Sequence, residues 1–351
     1  MKIALLHYRL ILRGGLETRL LNYLKRFHQL GHEVTVICAK RDPDIALPQG
    51  VQVIRVKLGL MPKPFRPWYF SQLSQAVLNA STYDYVLSLG RTGQQDAVLM
   101  PGGHLGFLEA MGRWKSSISD WMQIHLDRVA YRNSQLIFAA SKMMQTELIQ
   151  KYAVDANKIK LLYPPLNTQR FNQALRPERS ALRDAFQLQA HQLAFAFVST
   201  SHYRKGLDIL LKVFKNLDTD RYQLLIVGKP RVKSRLKNVR FLGFLEDPRS
   251  LYTAADFMIL PARYEPFGQV VTESLQCGTP VLISDRVGAK DVVGPKEGVI
   301  LPSLDPQVWT TKIQQLQPEA FSIDPQFAEQ KRLSLDDHVD TLLREWQQCT
   351  M

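Results

Sequence analysis

The strongest constraint on this fold is an alternation that runs twice along the chain. Short, almost uninterrupted apolar runs are separated by stretches with helical spacing. In the first half the runs are KIALLHY (2–8), HEVTVICA (32–39), VQVIRV (51–56), YDYVLSL (83–89), DAVLMPG (96–102) and QLIFAAS (135–141). A Gly-Gly turn follows the first of them, and then Leu16, Leu20, Leu21, Leu24 and Phe27 recur near helical spacing. In the second half the runs are LAFAFVST (193–200), YQLLIVG (222–228), VRFLGF (239–244), DFMILPA (256–262) and TPVLISD (279–285), with helical patterns at 206–217, 248–255 and 268–277. Continuous apolar runs mark strands buried on both faces, which requires a parallel sheet sandwiched between helices. Each half is therefore predicted to be a doubly wound α/β unit.

The break lies in LLYPPLNTQRF (161–171), where Pro164-Pro165 interrupts regular structure. The expected domains are 1–165 and 166–334, with a last amphipathic helix near 335–351 as a candidate to pack back on the first. Two such domains facing each other create a cleft at the carboxyl ends of their strands, where ligands are expected. The length of 351 residues suffices for both.

Composition excludes several classes. Apolar residues make up 45% and charged residues 22%, as in ordinary globular chains. No apolar run reaches the roughly 18–20 residues that span a bilayer. The opening MKIALLHYRLILRGG reads as a first strand rather than a leader, because His7, Tyr8 and Arg9 interrupt it. Cys38, Cys277 and Cys349 are too scattered for a disulfide framework or metal cluster, and a reducing cytoplasm fits them. The net charge is +13, of which residues 1–165 carry +10 (21 Lys+Arg, 11 Asp+Glu). That asymmetry predicts an anionic partner for the first half.

The stretch with most chemistry is PARYEPFGQVVTESLQCG (261–278). Glu265 and Glu273 are eight apart, with Phe267, Gly268, Gln269 and Val270 between them at the opening of a helix. Helix-entry amides and the dipole favour a phosphate. Glu265, in the loop, can accept from the hydroxyls of a neutral polyol, and Glu273, over a turn into the helix, from a second hydroxylated group further along the ligand. An extended ligand with hydroxyls at both ends and phosphates between, such as a nucleotide-sugar, fits both. The alternative is a helix-entry acid plus a solvated glutamate.

Three further turns follow strands. In STSHYRKG (199–206), Arg204 and Lys205 can neutralise a diphosphate leaving group, or form an exposed basic turn. In Arg13-Gly14-Gly15, backbone at Gly15 can approach phosphate, although tight turns look the same and the spacing is not the Gly-x-Gly-x-x-Gly fingerprint. In PGGHLGF (101–107), His104 is placed to touch a transferred group, or merely to cap a helix. His7 is a weaker candidate. The Asp42-Pro43-Asp44 and Asp218-Thr219-Asp220 triplets read as polar turns, and no residue group has metal-ligand spacing. Finally, KLGLMPKPFRPWYF (57–70) interleaves Lys57, Lys63 and Arg66 with Trp68 and other apolar groups, a composition suited to a lipid interface or a mobile acceptor loop.

With these residues in hand, the chain resembles the retaining glycosyltransferases of family 4, which have the GT-B fold of two Rossmann-like domains facing across a cleft. The Glu-x7-Glu spacing of Glu265 and Glu273, followed by CGTPVLISD, carries the likeness. GG at 14–15, RKG at 204–206 and FLGFLED at 241–247 fall in the family's order. Within the family the likeness is narrower to the lipopolysaccharide-core heptose glucosyltransferases. The resemblance implies that Arg204, Lys205 and the Gly15 backbone bind the donor diphosphate. It implies that Glu265 and the amides of Phe267 to Gln269 hold the donor sugar and phosphate, and that Glu273 binds the ribose. Phe244 would lie near the base and His104 near the transferred sugar. The resemblance implies no obligatory metal and no other cofactor, and it implies front-face attack in which the leaving phosphate takes the acceptor's proton, so that no dedicated enzymic base is required. One departure is that Ser-Thr-Ser-His-Tyr-Arg stands where the family often has a Gly-Arg pair. The expectation is a cytoplasmic hexosyltransferase, peripheral on the inner membrane, moving glucose from UDP-glucose to a lipopolysaccharide-core or lipid-linked acceptor.

Two other readings compete. One keeps the fold but makes the enzyme a nucleotide-sugar epimerase or an inverting heptosyltransferase, against which the Glu-x7-Glu motif argues. The other is a non-enzymatic basic protein binding nucleic acid or anionic membrane. No helix-turn-helix, zinc or RNA-reading signature supports nucleic acid as a partner.

Overall fold

Strand β1 (Lys2–Leu6) shows why an apolar run becomes a doubly covered strand. Successive side chains point to opposite faces, and Ile3, Ala4, Leu5 and Leu6 are all fully buried. Ile3 and Leu5 join a core with Leu20, Tyr23, Leu24 and Phe27 of helix α1 (Gly15–Gln29). Ala4 and Leu6 join another with Phe70 and Leu78 of helix α2 (Arg66–Asn79). An alternating pattern would have left one face in water.

The computed structural model describes residues 1–11, 14–100, 102–114 and 117–350. Contacts divide the chain into two compact units. Unit 1 comprises Met1–Pro165 with Leu335–Met351, and unit 2 comprises Leu166–Ser334.

In unit 1 a small parallel pair, β2 (Arg9–Leu10) and β4 (Lys40–Arg41), lies outside the main sheet. The remaining strands are β3 (Glu33–Cys38), β5 (Gln52–Arg55), β6 (Tyr85–Ser88), β7 (Ala97–Met100), β8 (Leu136–Ala139) and β9 (Ile159–Leu161). Among the described residues they form a seven-stranded parallel sheet in the order β5-β3-β1-β6-β7-β8-β9. Helices α3 (His104–Ala110), α4 (Ile118–Asn133) and α5 (Lys142–Tyr152) connect its last strands.

Unit 2 opens with α6 (Arg179–Ala185) and repeats the design. Its strands are β10 (Leu193–Ser199), β11 (Tyr222–Gly228), β12 (Val239–Gly243), β13 (Phe257–Leu260), β14 (Val281–Ser284) and β15 (Gly298–Leu301). They form a six-stranded parallel sheet, among the described residues, in the order β12-β11-β10-β13-β14-β15. Helices α7 (Leu207–Lys215), α8 (Arg249–Ala254), α9 (Gln269–Gln276), α10 (Pro306–Gln314) and α11 (Phe327–Gln330) alternate with them. In both units the strand order reverses beside the first strand, giving a topological switch point at the carboxyl edge, where such sheets bind ligands.

The last helix, α12 (Leu335–Thr350), belongs to unit 1. Val339, Leu342 and Trp346 enter the core formed by β1 and α1. Trp346 stacks on Tyr85 at 5.0 Å and donates its indole N–H to the Asp84 carbonyl at 3.0 Å. His338, 2% exposed, lies between the Tyr23 hydroxyl and the Tyr163 carbonyl. Burial drives its imidazole down to about 3, so it stays neutral. Helix α12 carries Asp336, Asp337, Asp340 and Glu345 against Arg344. It takes unit 1 from +10 to +7 and leaves unit 2 at +6, so the charge asymmetry of the linear chain does not survive folding.

Candidate active site

Two kinds of helix start occur. Helices α4, α5 and α10 begin at Ser117, Ser141 and Asp305, whose side chains accept a backbone N–H of the first turn. Helices α1, α7 and α9 begin instead at Gly14, Gly206 and Gly268, all with positive φ and no capping side chain. These three lie just beyond the carboxyl ends of β1, β10 and β13, the strands at or flanking the switch points. Their first-turn dipoles point at whatever anion approaches.

In unit 2, Gly206 and Gly268 hold the geometry together. A Cβ on Gly206 would lie 2.0 Å from the Pro261 carbonyl oxygen, so only glycine lets the turn after β10 touch the exit of β13. A Cβ on Gly268 would lie 3.1 Å from the Glu265 Cγ. The Glu265 backbone is pinned from the other side: its N–H donates to the Arg286 carbonyl at 3.1 Å, and its carbonyl accepts from Gly288 at 2.9 Å. The Phe267 carbonyl accepts from Ala289 at 2.7 Å, and the Phe267 side chain is buried.

This frame brings Glu265, Arg204 and Lys205 together. Arg204 donates through Nη1 to Glu265 Oε2 at 3.0 Å and to the Tyr264 carbonyl at 2.7 Å. Lys205 Nζ stands 3.5 Å from the same Oε2 and 3.4 Å from the Val198 carbonyl. Lys205 and Glu265 are 11% and 12% exposed at their side chains, a partly desolvated setting in which charges act strongly. One carboxylate faces two cations, so the cluster keeps a positive surplus. A carboxylate offers about four acceptor positions and a guanidinium about five donors, more than these contacts engage. The cluster can therefore take an anion on its cations and a hydroxyl on its carboxylate, beside Gln269 and Val270 at the first turn of α9.

Glu273 lies further along α9, half-buried. Its Oε2 accepts from the Tyr252 hydroxyl at 3.1 Å. Burial pushes its carboxyl above the usual range, against the pull of Tyr252, Lys205 and Arg170. Phe244 follows β12, is 59% exposed, and has Lys229 Nζ 5.0 Å over its ring, a cation-backed aromatic face.

In unit 1, Gly15 is exposed at the first position of α1, and Arg13 lies outside the described residues. The Glu17 carboxylate folds back over this turn; a Cβ on Gly14 would lie 2.3 Å from its Oε2. The His7 imidazole, 3.8 Å from Glu17, holds that carboxyl below its usual range. His104 is buried, and Pro101 before it lies outside the described residues. The His104 Nε2 pairs with Asp120 Oδ1 at 2.8 Å, and its backbone N–H donates to Asp127 Oδ2 at 2.9 Å. Hydrogen bonds from Ser117 and His104, against the opposing effect of burial, keep the Asp120 carboxyl low. Asp127, fully buried, also accepts from Arg91 Nε at 2.5 Å and from the Tyr152 hydroxyl at 2.9 Å.

Among the described residues, the other sequence candidates form no hydrogen bond or ion pair with these clusters. Lys57 and Lys63 are exposed, Trp68 is 36% exposed, and Arg66 donates to the Met61 carbonyl at 2.8 Å. In the Asp-x-Asp triplets, Asp42 and Asp218 close turns onto the N–H groups of Asp44 and Asp220. Sequence reasoning missed Tyr252, Lys229, Asp120, Asp127 and a bidentate pair between Arg263 and Asp208, at 2.7 and 2.8 Å. Arg263 alone had a signal, two residues before Glu265. Reasoning from sequence also missed three exposed apolar side chains close in sequence to Arg113: Trp114 (87%), and Ile118 (63%) and Trp121 (59%) in the first turn of α4.

Two family models match the chain. Residues 13–170 match Glycosyltransferase Family 4, and residues 178–322 match Glycosyl transferases group 1. A probable transglycosylase of Burkholderia thailandensis is 31% identical over 82% of this chain and 78% of its own. The mannosylfructose-phosphate synthase of Agrobacterium fabrum is 24% identical over 78% of this chain and 72% of its own. Among solved structures, WaaG, a glycosyltransferase involved in lipopolysaccharide biosynthesis, superposes with a TM-score of 0.80 at 18% identity, covering 99% of both chains. Anabaena Alr3699/HepE in complex with UDP and glucose superposes with a TM-score of 0.74, also at 18% identity over 99% of both chains.

Proposed function

This chain belongs to the family 4 glycosyltransferases, with the GT-B fold, and from that premise we propose that it transfers glucose from UDP-glucose to a lipopolysaccharide-core or other lipid-linked glycan, with retention of configuration and without a metal. One observation carries the reading: Glu265, Arg204 and Lys205 meet at the start of α9, whose N-cap residue is Gly268, with hydrogen-bonding capacity left on the carboxylate and the guanidinium. In this assignment Arg204 and Lys205 take the diphosphate, Glu265 takes a donor-sugar hydroxyl, and Glu273 takes the ribose. Phe244 and Lys229 offer a face for the base, the Gly15 backbone approaches the phosphate, and His104 serves the transferred sugar.

The reaction needs little from a protein base. The acceptor oxygen bonds to the anomeric carbon as the bond from that carbon to the diphosphate oxygen breaks. The acceptor's proton passes to the departing phosphate. Negative charge grows on the diphosphate at that moment, and fixed cations in a partly dry site stabilise it more than they stabilise the ground state. Of the relatives, HepE has been seen with UDP-glucose and WaaG is involved in lipopolysaccharide biosynthesis, which favours these substrate classes.

Contact with an anionic membrane is part of the same proposal. Support comes from the exposed Trp114, Ile118 and Trp121, from Leu60, Phe65 and Trp68, and from residues 229–240, which hold six Lys and Arg and no acid. Among the described residues, no helix is long and apolar enough to cross a membrane.

The deciding experiment screens UDP-, GDP- and ADP-sugars by thermal shift and then by turnover, with the anomeric configuration of the product read by NMR. Glu265→Ala and Lys205→Ala should each abolish transfer while the protein stays folded. Full transfer by either variant, or an inverted product, would refute the corresponding assignment.

A further inference from the structure

Arg204 and Lys205 sit on a turn, and long cations on a turn are useful only if something fixes that turn. Contacts at four residues do so, and three of those residues, Tyr203, Arg204 and Asp208, are held by Arg263. Its backbone N–H donates to the Arg204 carbonyl at 2.8 Å. Its Nη1 donates to the Tyr203 carbonyl at 2.7 Å and to Asp208 Oδ1 at 2.8 Å, while Nη2 donates to Asp208 Oδ2 at 2.7 Å. Its guanidinium lies 4.1 Å from the centre of the Tyr203 ring. The fourth residue is Gly206, against Pro261.

Resting on the functional reading above, we propose that Arg263, with Asp208, is a positioning residue for the donor diphosphate: it holds the Tyr203–Lys205 turn against the exit of β13, so that Arg204 and Lys205 present their cations where the diphosphate must sit. Arg263 does not itself bind the donor, because its fork is committed to Asp208 and the Tyr203 carbonyl and its face to the Tyr203 ring. A planar, bidentate group is required, and lysine, a point charge without a fork, cannot substitute. The Asp208 side chain is 40% exposed, so the pair adds little to global stability. Its effect is local: it sets the two cations relative to Glu265. Displacing catalytic groups by about 1 Å can cost up to about a hundredfold in rate.

The test uses the full chain and three proteins: wild type, Arg263→Lys and Asp208→Asn. Calorimetry measures binding of UDP, GDP and ADP and of the matching monophosphates, and a thermal melt measures stability. For whichever nucleoside diphosphate wild type binds, each variant should bind it roughly tenfold more weakly. Monophosphate affinity should stay within about twofold and the melting temperature within a few degrees. Steady-state kinetics should show a raised KM for the donor and an unchanged KM for the acceptor. Unchanged diphosphate affinity overturns the proposal. So does a parallel loss of diphosphate and monophosphate binding with a lowered melting temperature, which marks a merely structural role. If wild type itself binds no nucleoside diphosphate, the functional reading fails first and takes this proposal with it.

Discussion

Replacing Gly206 by alanine tests whether the turn after β10 and the exit of β13 work as one piece. Gly206 has φ 84°, a conformation that costs a residue with a Cβ about 1–2 kcal/mol. The new Cβ would also lie 2.0 Å from the Pro261 carbonyl oxygen, whereas real contacts of this kind are not closer than 3.0 Å. The two loops must therefore part by about 1 Å. That stretches the Arg263 N–H to Arg204 carbonyl bond of 2.8 Å beyond useful length and moves both cations relative to Glu265. Gly31→Ala supplies the control. Gly31 has nearly the same φ, 80°, but a Cβ there meets nothing within 4 Å. Urea denaturation should show Gly31→Ala losing about 1–2 kcal/mol with transfer unchanged. Gly206→Ala should lose at least as much stability and, in addition, about 10- to 100-fold in kcat/KM with donor varied. If Gly206→Ala transfers sugar as well as Gly31→Ala does, the two loops do not act as a unit and the reasoning is wrong.

Burial raises the carboxyl of Glu273 in the folded protein, so ionising it costs stability that grows as pH rises above the ordinary glutamate range near about 4.3. Glu273→Gln should therefore melt higher than wild type at pH 7 to 8, converge with it in acid, and bind the donor more weakly; a lower melting temperature at pH 8 would refute this. Trp346→Ala removes a 6% exposed side chain from the unit 1 core and should cost about 3–5 kcal/mol in the unfolding of unit 1, leaving a unit 2 transition unshifted in differential scanning calorimetry. Replacing Trp114 and Trp121 together by serine should reduce flotation with anionic vesicles several-fold while donor turnover in solution is retained; undiminished flotation would count against that surface.

Most strands were legible because a parallel sheet buries both faces, and an uninterrupted apolar run of five to eight residues between helices suits little besides such a strand. The two main-sheet strands missed are edges: β9 has Lys160 at its centre, and β15 begins at Gly298. Glu265, Arg204 and Lys205 were legible because each follows a buried strand, which places it at the carboxyl edge. Tyr252, Asp208 and Asp120 were not. Tyr252 reaches Glu273 across 21 residues and Arg263 reaches Asp208 across 55, by pairings that only the packed loops create. Charge misled for a related reason. The charge difference between residues 1–165 and the rest is a property of the linear chain, and the acidic α12, folded back from the far end, evens the two units to +7 and +6.

That returning helix also sets an order of events. Unit 2 is continuous in sequence, whereas unit 1 is built from two pieces that lie on either side of it. A ribosome working from the N-terminus delivers all of unit 2 before it delivers Val339, Leu342 and Trp346. Until then Leu20, Tyr23, Phe27 and Tyr85 lack part of their cover, so unit 2 can finish folding while unit 1 still waits with apolar surface open. The half made first is the half completed last, and that interval is when a chaperone would find most to hold.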